Sequence, residues 1–213
     1  MSEGRAGCRD QTLLWLLDAG AISCAALDAY TAWLGEGERQ RCARFVRAGR
    51  RRQFIAGRAL LRLALGRLLD LAPRDIVLRE RPGLAPALDT PAPEGVGFSI
   101  SHSGPWVACA ASTVSQLGLD IERIDAGRDL LALAEQALGP EDVAELRALA
   151  GQARVDAFHR MWCLHEARFK LGSASAADYV FAQPGLALAL SASRPLTPAP
   201  PPLVVTLGEL AAG

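Results

Sequence analysis

The stretch GVGFSISHSGPWVACAAS, residues 95–112, decides the fold. Val96, Phe98 and Ile100 alternate with glycine and serine, which is the period of a half-buried β-strand. HSGP (102–105) predicts a tight turn, and WVACAAS predicts a strand that runs back beside the first. The sequence therefore predicts an antiparallel hairpin near the middle of the chain.

The next segment, SQLGLDIERID (115–125), alternates in the same way. Its apolar residues fall on one face of a strand, whereas Gly118, Asp120 and Glu122 fall on the other. Two carboxylates on one face repel each other unless a cation lies between them, and Mg²⁺ prefers oxygen ligands. A polar strand face in solvent gives the same pattern, so D-x-E alone leaves both interpretations open.

Residues 153–171 have helical spacing and include MWCLHEARFK (161–170), which ends in the only lysine of the chain. Glu166 and Lys170 lie one helical turn apart on one face. Their spacing predicts either an i,i+4 ion pair or a third carboxylate for the metal with an ammonium for a phosphate beside it. The neighbouring stripe predicts packing for Phe158, Trp162, His165 and Phe169.

Ser101 and His102 lie at the end of the first hairpin strand, just before the turn. A hydroxyl, an imidazole and free backbone N–H groups there can contact a phosphate. A packed or surface histidine explains the same residue. The chain has no G-x-S-x-G, P-loop or G-x-G-x-x-G motif, so a Ser/His hydrolase remains an alternative without its orienting context.

Charge is unevenly distributed along a chain whose formal net charge is zero. Residues 39–81 contain 13 arginines against 3 Asp or Glu, a local charge of +10, so the remainder carries −10. This asymmetry predicts an anion-binding part beside a part that handles a cation. A solvated helix face and a non-catalytic module that binds a polyanion through Arg39–Arg81 are the alternatives.

The bulk composition limits the architecture and the compartment. The 213 residues suit one large domain or two small ones, which we divide into an N-terminal half, 1–113, and a C-terminal half, 114–213. The chain has five cysteines, an odd number, and no C-x-x-C motif. This favours reduced thiols in a cytoplasmic protein. The N-terminus is not typical of a signal peptide, and no segment approaches the roughly 20 apolar residues of a membrane span.

Helical and strand patterns mix along the chain without a regular βαβ alternation, which predicts an α+β fold. Helices are expected at 23–34, 39–70 (with a break near Gly49 and Arg50–Arg52), 129–150 (with GPED, 139–142, between its parts) and 153–171. Further strands are expected at 11–17, 75–79, 179–193 and 203–210.

Three motifs, taken in order, resemble those of the 4′-phosphopantetheinyl transferase superfamily in its surfactin-type branch: SISH (99–102), GLDIE (118–122) and WCLHEARFK (162–170). RCARF and FIAGRALLR, within 41–62, resemble the N-terminal region of that family. The resemblance covers roughly residues 10–172. It implies two pseudo-symmetric halves, each a helix with an antiparallel sheet, and an active site between them.

The resemblance also implies an activity and its residues. Mg²⁺ would be held by Asp120, Glu122 and Glu166, and Glu166 would act as the base. The 4′-phosphopantetheine arm of coenzyme A would pass to a serine of an apo acyl or peptidyl carrier protein of fatty acid, polyketide or nonribosomal peptide synthesis. The resemblance implies a monomer that binds neither nucleic acid nor membrane. The residues implied to contact coenzyme A are Ser101, His102, Lys170, Glu166 and Arg41, with Arg51 or Arg52 nearby.

Three features depart from the family pattern. His165 stands where the family usually has lysine. The family's G-K-P loop appears as GLAP (83–86), so Arg79 or Arg81 would have to supply the missing cation. The segment after Lys170 is short, which predicts a reduced second sheet.

Overall fold

The computed structural model describes residues 12–81 and 83–212 of the chain. Gln11, where the first predicted strand begins, and Cys8 lie outside the described residues. The other four cysteines are free thiols, as the odd count predicted. None of the described helices is both long enough and apolar enough to cross a bilayer.

The first half contains five strands and three α-helices. They are β1 Thr12–Asp18, α1 Cys24–Thr31, α2 Glu36–Ala43, α3 Ala48–Leu69, β2 Leu78–Arg79, β3 Ala87–Leu88, β4 Gly97–Ser103 and β5 Trp106–Ser112. The remaining elements are β6 Leu117–Arg123, α4 Leu130–Ala137, α5 Pro140–Ala148, α6 Gly151–Leu171, β7 Ala177–Gln183, β8 Leu186–Ala192, β9 Leu203–Val204 and α7 Leu207–Ala212.

Both halves share one topology. The first sheet has the order β4-β5-β1-β9 and the second has the order β6-β8-β7. In each half the third long strand lies between the first and the second, and the helices connect the first strand to the second. The predicted α+β class is confirmed, and the repeated strand order agrees with the implied pseudo-symmetry.

The end of the chain returns to the first half. β9 pairs in parallel with β1, and Leu207 of α7 is buried in the core beneath α3. Residues 203–212 therefore pack with the N-terminal half, although the division by sequence assigned them to the C-terminal half.

The predicted hairpin is formed by β4 and β5, which pair from Gly97 with Ser112 to Ser103 with Trp106. The turn is confined to Gly104 and Pro105, so His102 lies in the strand instead of the turn. Gly104 has a φ of +56°, which favours glycine, and a Cβ there would lie 2.4 Å from Cδ of Arg123.

A row of serine hydroxyls joins the two sheets where β4 runs beside β6. The hydroxyls of Ser99, Ser101 and Ser103 accept hydrogen bonds from the backbone N–H groups of Leu119, Ile121 and Arg123, respectively. The approach is close, since a Cβ on Gly97 of β4 would lie 2.2 Å from the Ser115 carbonyl oxygen, just before β6. Alternating serines thus bring the carboxylate face of β6 against the end of β4.

Some elements differ from their predicted bounds. The predicted helix 39–70 is two helices, and the break lies at 44–47, before the arginine cluster instead of within it. The expected division of the helical stretch 129–150 is confirmed, and it lies at Leu138 and Gly139, where GPED begins. The predicted strand 75–79 is reduced to Leu78–Arg79, because Pro73–Asp75 forms a 3₁₀ turn.

The predicted packing of His165 and Phe169 is wrong, because both side chains are exposed, Phe169 to 77%. The face of α6 that packs on the second sheet contains His159, Cys163 and Ala167, all at most 1% exposed. Gly118 allows this face to approach the sheet closely, and the resulting rotation of α6 turns His165 and Phe169 outward.

Candidate active site

The centre of the site is a contact among Asp120, Ser101 and Lys170. Oδ1 of Asp120 accepts hydrogen bonds from Oγ of Ser101 at 2.8 Å and from Nζ of Lys170 at 2.6 Å. Nζ of Lys170 also donates to Oγ of Ser101 at 2.9 Å. Asp120 is only 4% exposed, so the ammonium neutralises a carboxylate that has little access to water.

The two carboxylates of β6 lie on one face, as the alternation predicted. Oε2 of Glu122 accepts a 2.8 Å hydrogen bond from the hydroxyl of Ser103, one serine further along β4. Burial raises the pKa of Glu122, and the charge of Asp120 raises it further, against the lowering effect of Ser103. Oδ2 of Asp120 is buried without a hydrogen-bond partner among the described residues. This face therefore has negative charge and a free oxygen ligand.

Glu166 lies on α6, half-buried, and its carboxylate forms no hydrogen bond or ion pair with the described residues. The i,i+4 pair of Glu166 with Lys170 is not formed, because Lys170 is directed toward Asp120. No group of three or more His, Cys, Asp or Glu side chains in the described part of the chain is arranged to hold a metal ion. The structure thus brings Asp120 and Glu122 together but does not add Glu166 to them.

Two buried side chains of α6, Cys163 and His159, face β6. Neither was predicted from the sequence to contribute to the site. Burial raises the pKa of Cys163, and the charges of Asp120 and Glu122 raise it further, so its thiol remains neutral. Nε2 of His159 accepts a hydrogen bond from the Asp125 backbone at 3.2 Å, and its Nδ1 lies 2.8 Å from the Val155 carbonyl oxygen. His159 therefore fixes the chain directly after β6.

A cavity of about 640 Å³ opens beside this cluster. It is lined by Phe169 and Lys170 at the end of α6, by the first part of α3, by β4 from Phe98 to His102 and by the loop after β2. Its cationic or titratable lining side chains are Arg41, Arg50, Arg58, Arg81, His102 and Lys170, and no described lining residue is a carboxylate. Its apolar lining includes Phe45, Phe54, Leu84, Phe98, Ile100 and Phe169. The combination suits a ligand with an apolar part and negative charge.

His102 projects into this cavity, whereas Ser101 projects toward β6. Consecutive strand residues face opposite sides, so the two cannot act as a nucleophile and its base. The guanidinium of Arg50 contacts both ring nitrogens of His102. Desolvation lowers the pKa of His102 to about 4, and the cations Arg50 and Lys170 contribute to the shift. The imidazole is therefore neutral at pH 7.

A buried charge network holds Arg41 and Arg58 at the cavity. Glu38, buried in α2, pairs with Arg58 and Arg62 of α3. Glu80 pairs with Arg58 and, at 2.6 Å, with Arg41. Burial opposes ionisation of Glu80, but the hydrogen bond from Arg41 and the charge of Arg58 lower its pKa overall. Two helices and the loop that begins at Glu80 are thereby fixed around the cavity.

Arg52, which the resemblance placed near the ligand, has its guanidinium bonded elsewhere. Its guanidinium donates to the backbone carbonyls of Ala19 and Ile22 and does not line the cavity. Arg51 is exposed and also lies outside the cavity lining. Arg50, one residue earlier, is the arginine of this cluster that reaches the cavity, and the sequence analysis missed it. Helical phase measured from Phe54, which lies one turn later, would have selected it.

Arg79 and Arg81, the predicted substitutes for the lysine of the family's G-K-P loop, lie in different places. Arg79 pairs with Asp89 at 3.0 Å and is absent from the cavity lining. Arg81 does line the cavity, and its Nε donates to the Ala85 carbonyl at 2.8 Å.

Comparison with known proteins identifies related chains. Residues 23–114 match the family described as 4′-phosphopantetheinyl transferase, N-terminal, and residues 116–184 match the 4′-phosphopantetheinyl transferase superfamily. The 4′-phosphopantetheinyl transferase HetI of Nostoc sp. is 32% identical over 76% of this chain and 68% of its own length. AcpT of Salmonella typhimurium is 33% identical over 68% of this chain and 71% of its own length.

The 4′-phosphopantetheinyl transferase Sfp of Bacillus subtilis is 26% identical over 67% of this chain and 62% of its own length. Across the curated relatives, the chain spans from 52% to 71% of the relative's length. The two family matches meet between β5 and β6, where the two sheets adjoin. The chain therefore belongs to the 4′-phosphopantetheinyl transferase superfamily, whose curated members are named as transferases.

Proposed function

We propose that this protein transfers the 4′-phosphopantetheine arm of coenzyme A to a serine of an apo acyl or peptidyl carrier protein. The observation that carries the proposal is the position of Lys170, whose ammonium bonds the buried Asp120 and also lines the cationic cavity. One side chain thereby links the carboxylates of β6 to the compartment suited to phosphates.

The cavity would bind coenzyme A. Arg41, His102 and Lys170 are positioned to meet its phosphates, and charge-assisted hydrogen bonds to phosphate are stronger than neutral ones. Ser101 acts behind the cavity wall, where it orients Asp120 and Lys170. Its predicted role as a direct contact is therefore replaced in our proposal by a positioning role.

The residues present fit a magnesium ion held by two carboxylates. Oδ2 of Asp120 is a buried oxygen without a hydrogen-bond partner in the described part of the chain, and Glu122 lies close enough for like-charge repulsion. Mg²⁺ is commonly held by one or two carboxylates, with water and phosphate oxygens completing its coordination. When bound, the ion would neutralise the pyrophosphate of coenzyme A. A contribution of Glu166 to the metal remains a prediction.

The chemistry is a phosphoryl transfer that requires positioning and charge neutralisation. A bond forms between the serine oxygen of the carrier and the β-phosphorus, and the bond from that phosphorus to the bridging oxygen breaks. 3′,5′-ADP leaves with the electron pair. The serine proton passes to Glu166, whose carboxylate is free of protein partners among the described residues.

Two rival functions have less support. Ser101 bonds Asp120 and Lys170 and faces away from His102, which leaves a Ser/His hydrolase without a base for its nucleophile. A polyanion-binding module has exposed arginines to use, such as Arg44, Arg47 and Arg51, but it gives no role to the buried contact of Asp120 with Lys170.

The test is to incubate the protein with coenzyme A, Mg²⁺ and an apo carrier and to weigh the carrier. A gain equal to the phosphopantetheine arm is expected, and EDTA or Asp120→Ala should abolish it. Glu141→Gln, which alters an exposed carboxylate in the first turn of α5, is the matched control and should leave the gain unchanged. Failure to modify any of several apo carriers would refute the proposal.

A further inference from the structure

Arg50 is a cation of the cavity that has no carboxylate partner among the described residues. Arg81 also lacks one, but its Nε is bonded to the Ala85 carbonyl. It is the third residue of α3, half-buried, and its guanidinium bonds the side chain of Gln53 and the ring of His102. No carboxylate of the described residues pairs with it, whereas Glu80 pairs with both Arg41 and Arg58. Its charge is therefore uncompensated within the described protein.

The surroundings of Arg50 penalise that charge. Burial lowers the pKa of Arg50, and the nearby charge of Arg41 lowers it further. His102, which Arg50 contacts, is kept neutral partly by the same guanidinium. A partly desolvated cation among other cations is stabilised by an anion that enters the cavity.

The side chain of Arg50 is also held in place. Gln53 accepts a hydrogen bond from the guanidinium and donates one to the Gly104 carbonyl in the hairpin turn. Arg50 also lies over the ring of Phe45, with 5.9 Å from its guanidinium carbon to the ring centroid. These contacts on three sides leave the guanidinium directed into the cavity, which it lines.

The loop after β2 contributes fewer available cationic donors to the cavity than the start of α3 does. Leu84 lines the cavity there and is 60% exposed. One donor of Arg81, its Nε, is occupied by the Ala85 carbonyl within the same loop. Arg81 therefore has only its terminal nitrogens left for a phosphate, and the start of α3 supplies a further cation, Arg50.

From this geometry we infer that Arg50, together with His102, binds a phosphate of coenzyme A and takes the place of a loop cation. The inference rests on the proposed function. A guanidinium fork presents two parallel N–H donors to a phosphate, which fixes its orientation as well as its charge. Arg50 is thus a substrate-binding residue for the reaction, and Gln53 positions it.

The experiment measures the binding of coenzyme A by isothermal titration calorimetry, in Mg²⁺ and without a carrier. Arg50→Gln should weaken binding about 10-fold to 100-fold, because a hydrogen bond to a charged group contributes that much. Arg51→Gln is the matched control, since Arg51 is exposed, adjacent and outside the cavity, and its affinity should stay within about twofold. Arg50→Lys should lie between wild type and Arg50→Gln, because the charge is kept and the fork is lost.

Repeating the titration with 3′-dephospho-coenzyme A identifies the phosphate. If the effect of Arg50→Gln disappears, Arg50 binds the 3′-phosphate; if it persists, Arg50 binds the pyrophosphate, and both results support the inference. A folded Arg50→Gln protein that binds coenzyme A as tightly as wild type overturns it. Because binding needs no turnover, absence of transfer would contradict the proposed function alone, and a wild-type protein that binds no coenzyme A would overturn both.

Discussion

Nζ of Lys170 lies 2.6 Å from Oδ1 of Asp120, so the only lysine of the chain neutralises the buried carboxylate of β6 while it lines the cationic cavity. The ammonium occupies one oxygen of Asp120, and the other oxygen is buried without a partner among the described residues. The ammonium of Lys170 therefore provides a fixed positive charge beside Asp120 and Glu122, the candidate metal ligands.

Replacing Lys170 with methionine should destabilise the metal-free protein, because Asp120 would keep its burial and lose its counter-charge. The expected loss is about 1–3 kcal/mol, since Lys170 is itself partly exposed. Mg²⁺ should then raise the Tm of Lys170→Met more than that of wild type, which differential scanning fluorimetry measures. Equal Mg²⁺-induced increases in the two proteins would contradict this account.

Replacing Lys170 with arginine tests why the site uses an ammonium. Nζ donates to both Asp120 and Ser101 as a compact group, and a planar guanidinium cannot reproduce both bonds in the same space. The KM for coenzyme A in the transfer assay should rise in Lys170→Arg. An unchanged KM would mean that charge alone matters at this position.

Gly118 is a structural glycine of β6, the strand that contains Asp120 and Glu122. A Cβ there would lie 1.9 Å from the Ala167 carbonyl oxygen and 2.5 Å from the Leu171 nitrogen, both backbone atoms of α6. Gly118→Ala should cost about 3 kcal/mol or more of the free energy of unfolding, because α6 must move away from the sheet. Urea denaturation measures this.

Gly49→Ala is the control for Gly118→Ala. No atom lies within 4 Å of a Cβ at Gly49, in the first turn of α3, so alanine there should be neutral or stabilising. Two variants with equal midpoints of unfolding would refute the packing argument.

Much of the fold could be predicted from strand periodicity. The alternation around Ile100 and Ile121 identified β4 and β6, and with them the shared face of Asp120 and Glu122. The rotation of α6 could not be predicted, because it depends on a long-range contact with Gly118 that helical periodicity does not contain. His165 was misplaced for that reason.

The charged part of the site was harder to predict than the strands. The sequence indicated that arginines contribute to an anion site, but it did not show which of them lack a carboxylate partner. Arg58, for example, forms ion pairs with Glu38 and Glu80. Arg50 and Arg52 are two residues apart on one helix, yet one faces the cavity and the other bonds backbone carbonyls. Whether an arginine lines the cavity therefore depends on ion pairs and hydrogen bonds between elements that are distant in the sequence.

Glu38 should be essential for stability. Its carboxylate is fully buried and pairs with Arg58 and Arg62, so Glu38→Gln leaves two buried guanidinium groups short of charge. The expected loss is about 3–5 kcal/mol in the free energy of unfolding. Glu36→Gln is the matched control on the same helix, because its pair with Arg39 is exposed and screened by water, so its loss should be small. Similar losses in the two variants, measured by urea denaturation, would contradict the network.

His102 should give the stability of the protein a specific pH dependence. Its pKa is about 4 in the folded protein, because of desolvation and the cations Arg50 and Lys170, against about 6.5 in an unfolded chain. The unfolded state therefore binds more protons between those values, so stability should fall as the pH is lowered from 6.5 to 4.

His102→Gln should flatten that part of the pH profile of the Tm and leave the region above pH 7 unchanged. An anion in the cavity should raise the pKa of His102, since it offsets the charges of Arg50 and Lys170. NMR titration of the His102 ring with and without coenzyme A measures that rise. A pKa near 6.5 in the free protein, or no rise with ligand, would show that His102 does not sense the charge of the cavity.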